Sequence, residues 1–279
     1  MTISQLLRVD PGSGPVRLAE IDPRSTPGTD LGKQDAQQVV ATLGPDLADL
    51  QAKRHAEART GGRRRVLVVL QGMDTAGKGG AIAGVARLMN PAGLQATSFG
   101  APTPEELSHD FLWRFNRALP DPGRIALFDR SHYEDVLIVR VHDLVPEREW
   151  QTRYDRINSW EAELTAQGVV MLKVMLHLSK DEQRTRLLAR LADPAKHWKI
   201  NPGDITERGH WEAYQQAYEV VLERCSTEVA PWHVVPADRK WYRDWALAHL
   251  LRETLQKMQL SWPVVDLDLD GMRRALGQS

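Results

Sequence analysis

One short glycine-rich segment constrains the fold of this chain more than any other feature. In the segment GMDTAGKGG, four residues separate Gly72 from Gly77, and Lys78 follows directly. This is the spacing of a phosphate-binding loop. The apolar run VLVVL at 66–70 precedes the loop, and the helix-like AIAGVARLM at 81–89 follows it. Such a loop requires a strand before it and a helix after it, so the segment predicts an α/β fold with its phosphate site at this turn.

The residue types in the loop suit a polyanion. Glycines let backbone N–H groups approach phosphate oxygens at a helix N-terminus, where the helix dipole favours negative charge, and the lysine can reach the outer phosphates. We therefore assign phosphate binding to the whole loop: Gly72, Thr75, Ala76, Gly77, Lys78, Gly79 and Gly80. The alternative is a glycine-rich turn that binds nothing.

Two carboxylates predict a magnesium site. The Ser or Thr hydroxyl that usually follows the lysine and binds Mg²⁺ is replaced by Gly79, whereas Asp74 inside the loop would repel phosphate unless a cation lies between them. The apolar run at 125–128 ends in Asp129 and Arg130, at the sheet edge where α/β proteins bind ligands. We expect both aspartates to bind Mg²⁺ and Arg130 to contact phosphate. The alternatives are an Asx turn and a helix N-cap.

Further short apolar runs predict the rest of the sheet, at 95–99, 169–178 and, more weakly, 232–235. Runs that are continuously apolar are typical of strands buried on both faces, which indicates a parallel sheet between two helix layers. Thr103 and Ser179 each precede a helix-like stretch with Glu three residues later, the pattern of a capping box. We predict a three-layer α/β/α fold.

A basic segment follows the fourth apolar run. Between residues 184 and 199 there are five Lys or Arg residues and one acid, a charge of +4 in a chain whose net charge is -1. Arg186 and Arg190 are four residues apart and share a helix face, while Lys196 and Lys199 follow in a loop. A solvated charged face is the alternative, but the position next to the site favours a phosphate-binding lid that excludes water.

Composition limits the remaining choices. The chain has 279 residues, and its single cysteine, Cys225, excludes an internal disulfide framework. It shows neither a secretory signal nor an apolar run of membrane-spanning length, and its neutral balance excludes a polybasic nucleic-acid coat. We therefore expect a cytoplasmic protein without nucleic-acid or membrane partners. We divide it into an N-terminal arm and helix (1–60), a P-loop domain (61–260, lid about 180–205) and a C-terminal tail (261–279).

Five blocks of sequence resemble polyphosphate kinase family 2 in content and order. They are GMDTAGKGG, SFGAPTPEELSHDFLWR, FDRSHYEDVLIVRVH, HLSKDEQRTRLLARLADPAKHWK and APWHVVPADRKW. The similarity extends from about residue 17 to residue 257. The block YEDVLIVRVH resembles the third class of the family, whose members phosphorylate nucleoside monophosphates and diphosphates.

The resemblance implies a fold similar to that of thymidylate kinases, a requirement for Mg²⁺, inorganic polyphosphate as donor along a basic channel, and AMP or ADP as acceptor, giving ADP and ATP. It also implies a dimer or tetramer. The family's site residues map onto two loop residues, a strand-end pair, two lid arginines and a lid motif: Asp74, Lys78, Asp129, Arg130, Arg186, Arg190, Lys196, Trp198 and Lys199. Phe99, Arg114 and Arg117 are our candidates for contacts to the nucleotide.

Two other functions remain open from the residues alone. The first is an ATP-dependent nucleotide kinase of thymidylate-kinase type, which would be expected to carry Ser or Thr where Gly79 stands. The second is a GTPase-like regulatory module, which would be expected to carry an N-K-x-D base-reading motif that the sequence lacks.

Overall fold

All the predicted strands are present and form one parallel sheet. The computed structural model describes residues 1–277, in which the strands are β1 (Arg65–Gly72), β2 (Leu94–Ser98), β3 (Ile125–Asp129), β4 (Val169–His177) and β5 (Trp232–Pro236). Their order across the sheet is β2-β3-β1-β4-β5, and every neighbouring pair runs parallel. Within the sheet, β2 and β3 lie on one side of β1, and β4 and β5 lie on the other. This change of direction is the topology that opens a ligand crevice beside β1.

The strand register brings the carboxyl ends of the central strands to one edge. Leu70 of β1 lies opposite Asp129 of β3, and Gly72 at the end of β1 lies opposite Leu176 of β4. The glycine-rich loop and the strand-end aspartate therefore emerge side by side.

Helices cover both faces of the sheet. They are α1 (Ile3–Leu7), α2 (Lys33–Arg59), α3 (Lys78–Ala86), α4 (Pro104–Leu107), α5 (Trp113–Arg117), α6 (Ile138–Val141), α7 (Glu147–Ala166), α8 (Lys180–Leu191), α9 (Gly203–Gly209), α10 (Trp211–Cys225), α11 (Lys240–Lys257) and α12 (Leu269–Gly277). Alternate strand residues face two separate cores. Val66 and Val68 of β1 pack with α2, α3 and α11, whereas Leu67 and Val69 pack with α7 and α10. This confirms the three-layer α/β/α fold.

The two predicted helix caps differ in detail. Thr103 forms the full capping box, with its hydroxyl accepting from the Glu106 N–H and the Glu106 carboxylate accepting from the Thr103 N–H. Ser179 caps α8 through the Glu182 N–H, but the reciprocal bond is missing. The Glu182 carboxylate instead accepts from Arg186, because α8 turns that guanidinium inward.

The N-terminal arm is tied to the carboxyl edge of the sheet. The Asp238 N–H, just beyond β5, donates to the carbonyl of Pro23, and the Tyr242 hydroxyl donates to the carbonyl of Pro27. The helix predicted within residues 1–60 is α2, which contains Pro45 and packs on α11. The domain limits at 60 and 260 remain a prediction. The last two residues of the predicted tail lie outside the described residues, and no helix within 1–277 is long and apolar enough to cross a membrane.

Candidate active site

The glycine-rich loop joins β1 to α3 in a shape that only glycine permits at its two ends. A side chain at Gly72 would meet the backbone carbonyl of Leu176, and one at Gly77, where φ is 100°, would overlap the Arg243 guanidinium. Within residues 1–277, the consecutive backbone N–H groups from Gly77 to Gly80 have no hydrogen-bond acceptor. These unpaired donors at the start of a helix form an anion-binding surface.

Lys78 is buried at the base of this surface. Its ammonium donates to the carbonyl of Gly72 at 2.8 Å, which is its one hydrogen bond among the described residues. Burial lowers the pKa of Lys78, and the carboxylates of Asp74 and Asp129 act in the opposite direction. The Lys78 ammonium and the backbone N–H groups from Gly77 to Gly80 can therefore donate together to phosphate oxygens.

The two predicted metal-binding aspartates lie on the same side of the molecule. Asp74 Oδ1 accepts from Arg130 Nη2 at 2.9 Å, and Asp129 Oδ2 lies 3.5 Å from where a Cβ of residue 79 would stand. Burial lowers the pKa of Lys78 overall, but both carboxylates oppose that shift, and both also act to raise the pKa of Arg130. Their common neighbours show that the loop and the end of β3 build one site.

The oxygen atoms at this site fit Mg²⁺. The described residues contain no group of three His, Cys, Asp or Glu side chains arranged for a metal. They do offer two carboxylates and the buried hydroxyl of Thr75, which has no hydrogen-bond partner. Mg²⁺ commonly takes one or two carboxylates and completes its shell with water and substrate phosphate oxygens. Asp74 and Asp129 would hold it.

Glu134 is a third carboxylate at the site that the sequence analysis did not assign. It lies four residues after Arg130, 4.0 Å from the Arg130 Nε, and accepts a hydrogen bond from Gln71. Burial raises the pKa of Glu134, while Arg130 and Lys78 lower it. Burial alone would lower the pKa of Arg130, but Glu134 and the two aspartates raise it above its usual value. Arg130 thus stays charged beside the loop.

The two predicted lid arginines occupy different environments. Arg186 is buried, and its guanidinium donates to backbone carbonyls of the phosphate loop and of the turn after β5. Arg190, one turn later on α8, is partly exposed and lies 3.3 Å from the carboxylate of Asp204. The shared helix face inferred from their spacing therefore does not give them a shared environment.

The part of the predicted lid that follows α8 is open to solvent. Lys196 pairs with Asp193 at 2.6 Å, and the Lys199 ammonium lies over the ring of Trp198 at 4.8 Å. Trp198 is 79% exposed. Burial lowers the pKa of Lys240 at the start of α11, and the charge of Lys196 contributes to that shift. Lys196 and Lys199 of the lid therefore extend a basic surface that lies beside the phosphate loop and includes Lys240.

A cavity of about 750 Å³ opens from the phosphate loop. Gly72, Asp74, Arg130 and Glu134 of the site line it. Apolar and charged side chains from several other elements also line it: Phe99, Phe111, Arg114, Ile138, Val145, Arg153 and Tyr214. The volume suits a mononucleotide-sized ligand.

The three candidate nucleotide residues are only partly brought together. Phe99 is buried against Phe115 and Phe128, with ring centroids 4.7 and 4.8 Å away, so little of its ring faces the cavity. Arg114 lines the cavity and donates to the carbonyl of Gly100. Arg117 does not line it; this side chain stacks on Trp113 and borders a shallower cleft with Phe99 and Arg114.

Comparison with known proteins identifies the family of this chain. A family model described as polyphosphate kinase 2 matches residues 30–262. The chain belongs to the polyphosphate kinase 2 family. The resemblance seen in the sequence is confirmed, and the chain is a kinase by its family.

Similar members of the polyphosphate kinase 2 family match nearly the whole chain. The AMP/ADP-polyphosphate phosphotransferase of Meiothermus ruber is 46% identical over 256 residues, 92% of this chain and 94% of the relative. The ADP-polyphosphate phosphotransferase of Rhodopseudomonas palustris is 42% identical and covers 83% of each chain. The crystal structure of polyphosphate kinase 2 from Arthrobacter aurescens TC1 superimposes with a TM-score of 0.96 at 49% identity, covering 100% of this chain and 98% of that one.

Several residues of this polyphosphate kinase 2 site escaped the sequence analysis. The Tyr218 hydroxyl accepts a hydrogen bond from the Gly72 N–H at 3.1 Å, and Gln183 donates to the carbonyl of Asp74 at 3.1 Å. Tyr218 is far from the loop in the sequence, and no regular residue spacing relates it to a residue already assigned. Gln183 had such a spacing, because it lies one turn before Arg186 on α8. Glu134 had only its position four residues after Arg130.

Proposed function

We propose that this chain transfers phosphate between inorganic polyphosphate and adenine nucleotides, converting AMP to ADP and ADP to ATP with Mg²⁺. The observation that carries the proposal is the row of unpaired N–H groups from Gly77 to Gly80, next to Lys78, Arg130 and two carboxylates. Phosphoryl transfer needs positioned donors and acceptors and cancellation of spread negative charge, and this arrangement supplies both.

In this proposal the donor polyphosphate lies along the basic surface. Arg190, Lys196 and Lys199 of the lid would contact it, together with Lys240 and Arg243 near the loop. Polyphosphate carries about one charge per phosphate unit, so a row of cations matches it better than one cation would. Each contact makes binding more sensitive to salt.

The acceptor would occupy the cavity, with its phosphate towards Arg130 and its base in the outer part. Phe99, Arg114 and Arg117 remain our candidates for nucleotide contacts, and the geometry favours Arg114 among them because it lines the cavity. The relative from Meiothermus ruber is named for both AMP and ADP, which supports the same pair of acceptors here.

In the proposed mechanism Lys78, Arg130 and the loop N–H groups hold the transferred phosphate in line between donor and acceptor. Asp74 and Asp129 would hold Mg²⁺, which would neutralise charge on the phosphate oxygens. Arg190 and the lid lysines exclude water from the reacting group. The carboxylates also serve as proton acceptors, a secondary role because the acceptor phosphate is mostly ionised at neutral pH.

The donor distinguishes this proposal from an ATP-dependent nucleotide kinase. Purified protein is incubated with AMP and Mg²⁺, with either polyphosphate or ATP as donor, and nucleotides are separated by chromatography. We expect ADP and then ATP from polyphosphate. Product formed with ATP as the sole effective donor would contradict the proposal, and tight nucleotide binding without transfer would support the regulatory module instead.

The metal site is tested by Asp129→Asn. Loss of turnover is expected with an unchanged melting temperature, because only a partly exposed carboxylate changes. Asp121→Asn, an exposed carboxylate in the turn before β3, is the matched control and should behave like wild type. Chelation should abolish transfer and added Mg²⁺ should restore it. Wild-type turnover in Asp129→Asn would remove the metal role.

We extend the proposal to location and assembly. The cytoplasm holds the nucleotide substrates, and we place the protein there. We also propose a dimer or tetramer, supported by the exposed apolar side chains of the C-terminal segment: Trp262, Val264, Val265, Leu267, Leu269 and Met272. Light scattering at several concentrations measures the assembly, and a monomer throughout would contradict it.

A further inference from the structure

Arg186 uses every donor of its guanidinium on the protein itself. Nε donates to the Glu182 carboxylate at 2.8 Å. Nη1 donates to the carbonyls of Thr75 and Ala76 at 2.9 and 3.0 Å, and Nη2 to those of Ala237 and Asp238 at 2.6 and 3.0 Å. An arginine has five N–H groups, and these five bonds employ all of them. No donor is left for a phosphate oxygen.

From this geometry we infer that Arg186 is a positioning residue that sets the shape of the phosphate loop, and that it does not contact phosphate. The inference rests on the proposed role of that loop in binding phosphate. Peptide groups are planar and trans, so a carbonyl held on one side directs the following N–H to the other. Holding the Ala76 carbonyl therefore turns the Gly77 N–H away from Arg186, as the first of the unpaired donors at the start of α3.

The loop needs such support because its conformation is unfavourable. Thr75 has φ of 66°, in the left-handed region that β-branched residues rarely adopt, and its buried hydroxyl has no partner. Bonds from a charged donor to the carbonyls of Thr75 and Ala76 stabilise that conformation. The other end of the support is also fixed, since the Asp238 carboxylate accepts from the N–H and the hydroxyl of Ser179.

Arg190 provides a matched comparison on the same helix. It is one turn away and partly exposed, and it contacts the Asp204 carboxylate and, at 3.5 Å, the Lys199 carbonyl. Arg190 can therefore turn towards a polyanion. The two arginines should respond differently to the same substitution.

The first experiment measures amide hydrogen exchange in a peptide spanning residues 72–82, without substrate. The amides compared are the hydrogen-bonded ones of Gly72, Ala76 and Ala81. For these amides we expect exchange at least tenfold faster in Arg186→Gln than in wild type, and no change in Arg190→Gln. Because this readout requires no activity, it tests the inference even if the proposed function fails. Failure of the proposed function would be seen separately, as wild-type protein that transfers no phosphate from polyphosphate. Unchanged exchange in Arg186→Gln would overturn the inference.

The second experiment measures kcat and KM for polyphosphate at several salt concentrations. The slope of log KM against log salt reports phosphate contacts through counterion release. Arg186→Gln should keep the wild-type slope while kcat falls about 100-fold. In Arg190→Gln the slope should decrease by the amount that corresponds to about one phosphate contact. A slope lowered equally in both variants would show that Arg186 binds phosphate directly and would overturn the inference.

Circular dichroism establishes that each variant is folded before these measurements. If Arg186→Gln does not fold, Arg186→Lys replaces it, because lysine keeps the charge but cannot reach both carbonyl pairs. It should show faster loop exchange than wild type with the wild-type salt slope. Wild-type exchange and wild-type kcat in Arg186→Lys would contradict the inference.

Discussion

Two buried lysines, one within the central part of the sheet and one at its carboxyl edge, differ in their hydrogen-bonding states. Lys173 of β4 donates to Glu161, to the Tyr133 hydroxyl and to the Cys225 carbonyl, at 2.5, 2.8 and 2.7 Å. Lys78 donates only to the carbonyl of Gly72 within the described residues. An ammonium has three donors, so Lys173 is saturated and Lys78 is not.

The difference shows how one sheet separates stability from binding. Burial alone would raise the pKa of Glu161, but Lys173 and His132 hold it below its usual value, so that region is a closed ion pair. At Lys78 burial lowers the pKa, and no carboxylate of residues 1–277 forms an ion pair with the ammonium. The saturated lysine holds α7 and α10 to the sheet, whereas the unsaturated one keeps donors for a ligand.

The largest effect is expected for Lys78→Ala. Transfer from polyphosphate should fall about 10³-fold, about 4 kcal/mol of transition-state stabilisation, because in the proposed mechanism the lysine contacts the transferred phosphate. The melting temperature should change little, since a costly buried charge with one hydrogen bond is removed. Steady-state kinetics and calorimetry measure the two quantities. Turnover within tenfold of wild type would contradict the assignment of the phosphate loop.

Lys173→Met should show the reverse pattern. Breaking a buried ion pair leaves the Glu161 carboxylate without its partner, and we expect a loss of about 3 to 5 kcal/mol in the free energy of unfolding. The specific activity of the folded fraction at low temperature should remain close to that of wild type. Urea denaturation measures the loss, and adding Glu161→Gln should recover part of it. A variant as stable as wild type would contradict the comparison.

A pH effect on stability is expected at His233, next to Lys173. Burial lowers the pKa of His233 to about 4; Ser4 lies 3.1 Å from one ring nitrogen and the Lys173 carbonyl 3.2 Å from the other. Because the folded pKa lies below the unfolded value of about 6.5, this stability is present above pH 6.5 and lost as the pH falls towards 4. The loss is about 3 kcal/mol at most.

Denaturation midpoints at pH 7, 5.5 and 4.5 test this expectation. His233→Gln cannot be protonated in this range, so its stability should fall less steeply than that of wild type. Parallel curves for the two proteins would show that another group causes the acid sensitivity.

The smallest effect is expected at Gly79, beside Lys78. A Cβ there would lie at ordinary contact distance from Asp129 Oδ2, and the residue is within α3 with no positive φ. Gly79→Ala should therefore raise the free energy of unfolding by about 0.5 to 1 kcal/mol through a lower entropy of the unfolded chain. Thermal denaturation measures this change, and a destabilised variant would show that the turn needs glycine here as well.

Local patterns in the sequence predicted the fold and part of the site. The apolar runs and the Gly72 to Lys78 spacing are properties of short segments, and the parallel sheet follows from them. Contacts between distant segments were not predictable in this way. Nothing in the sequence links Tyr218 to Gly72. Helical spacing grouped Arg186 with Arg190, although only Arg186 is buried, because the burial of each arginine depends on what packs against α8.

The bond between Pro23 and Asp238 has a practical consequence for work with the protein. The Asp238 carbonyl also accepts a hydrogen bond from Arg186. Asp238 and Arg186 therefore connect the first thirty residues to the phosphate loop through hydrogen bonds. A fusion partner, an immobilising support or a proteolytic cut at this end can alter the enzyme without unfolding it. Preparations that differ at the amino end should therefore be compared by turnover number as well as by yield.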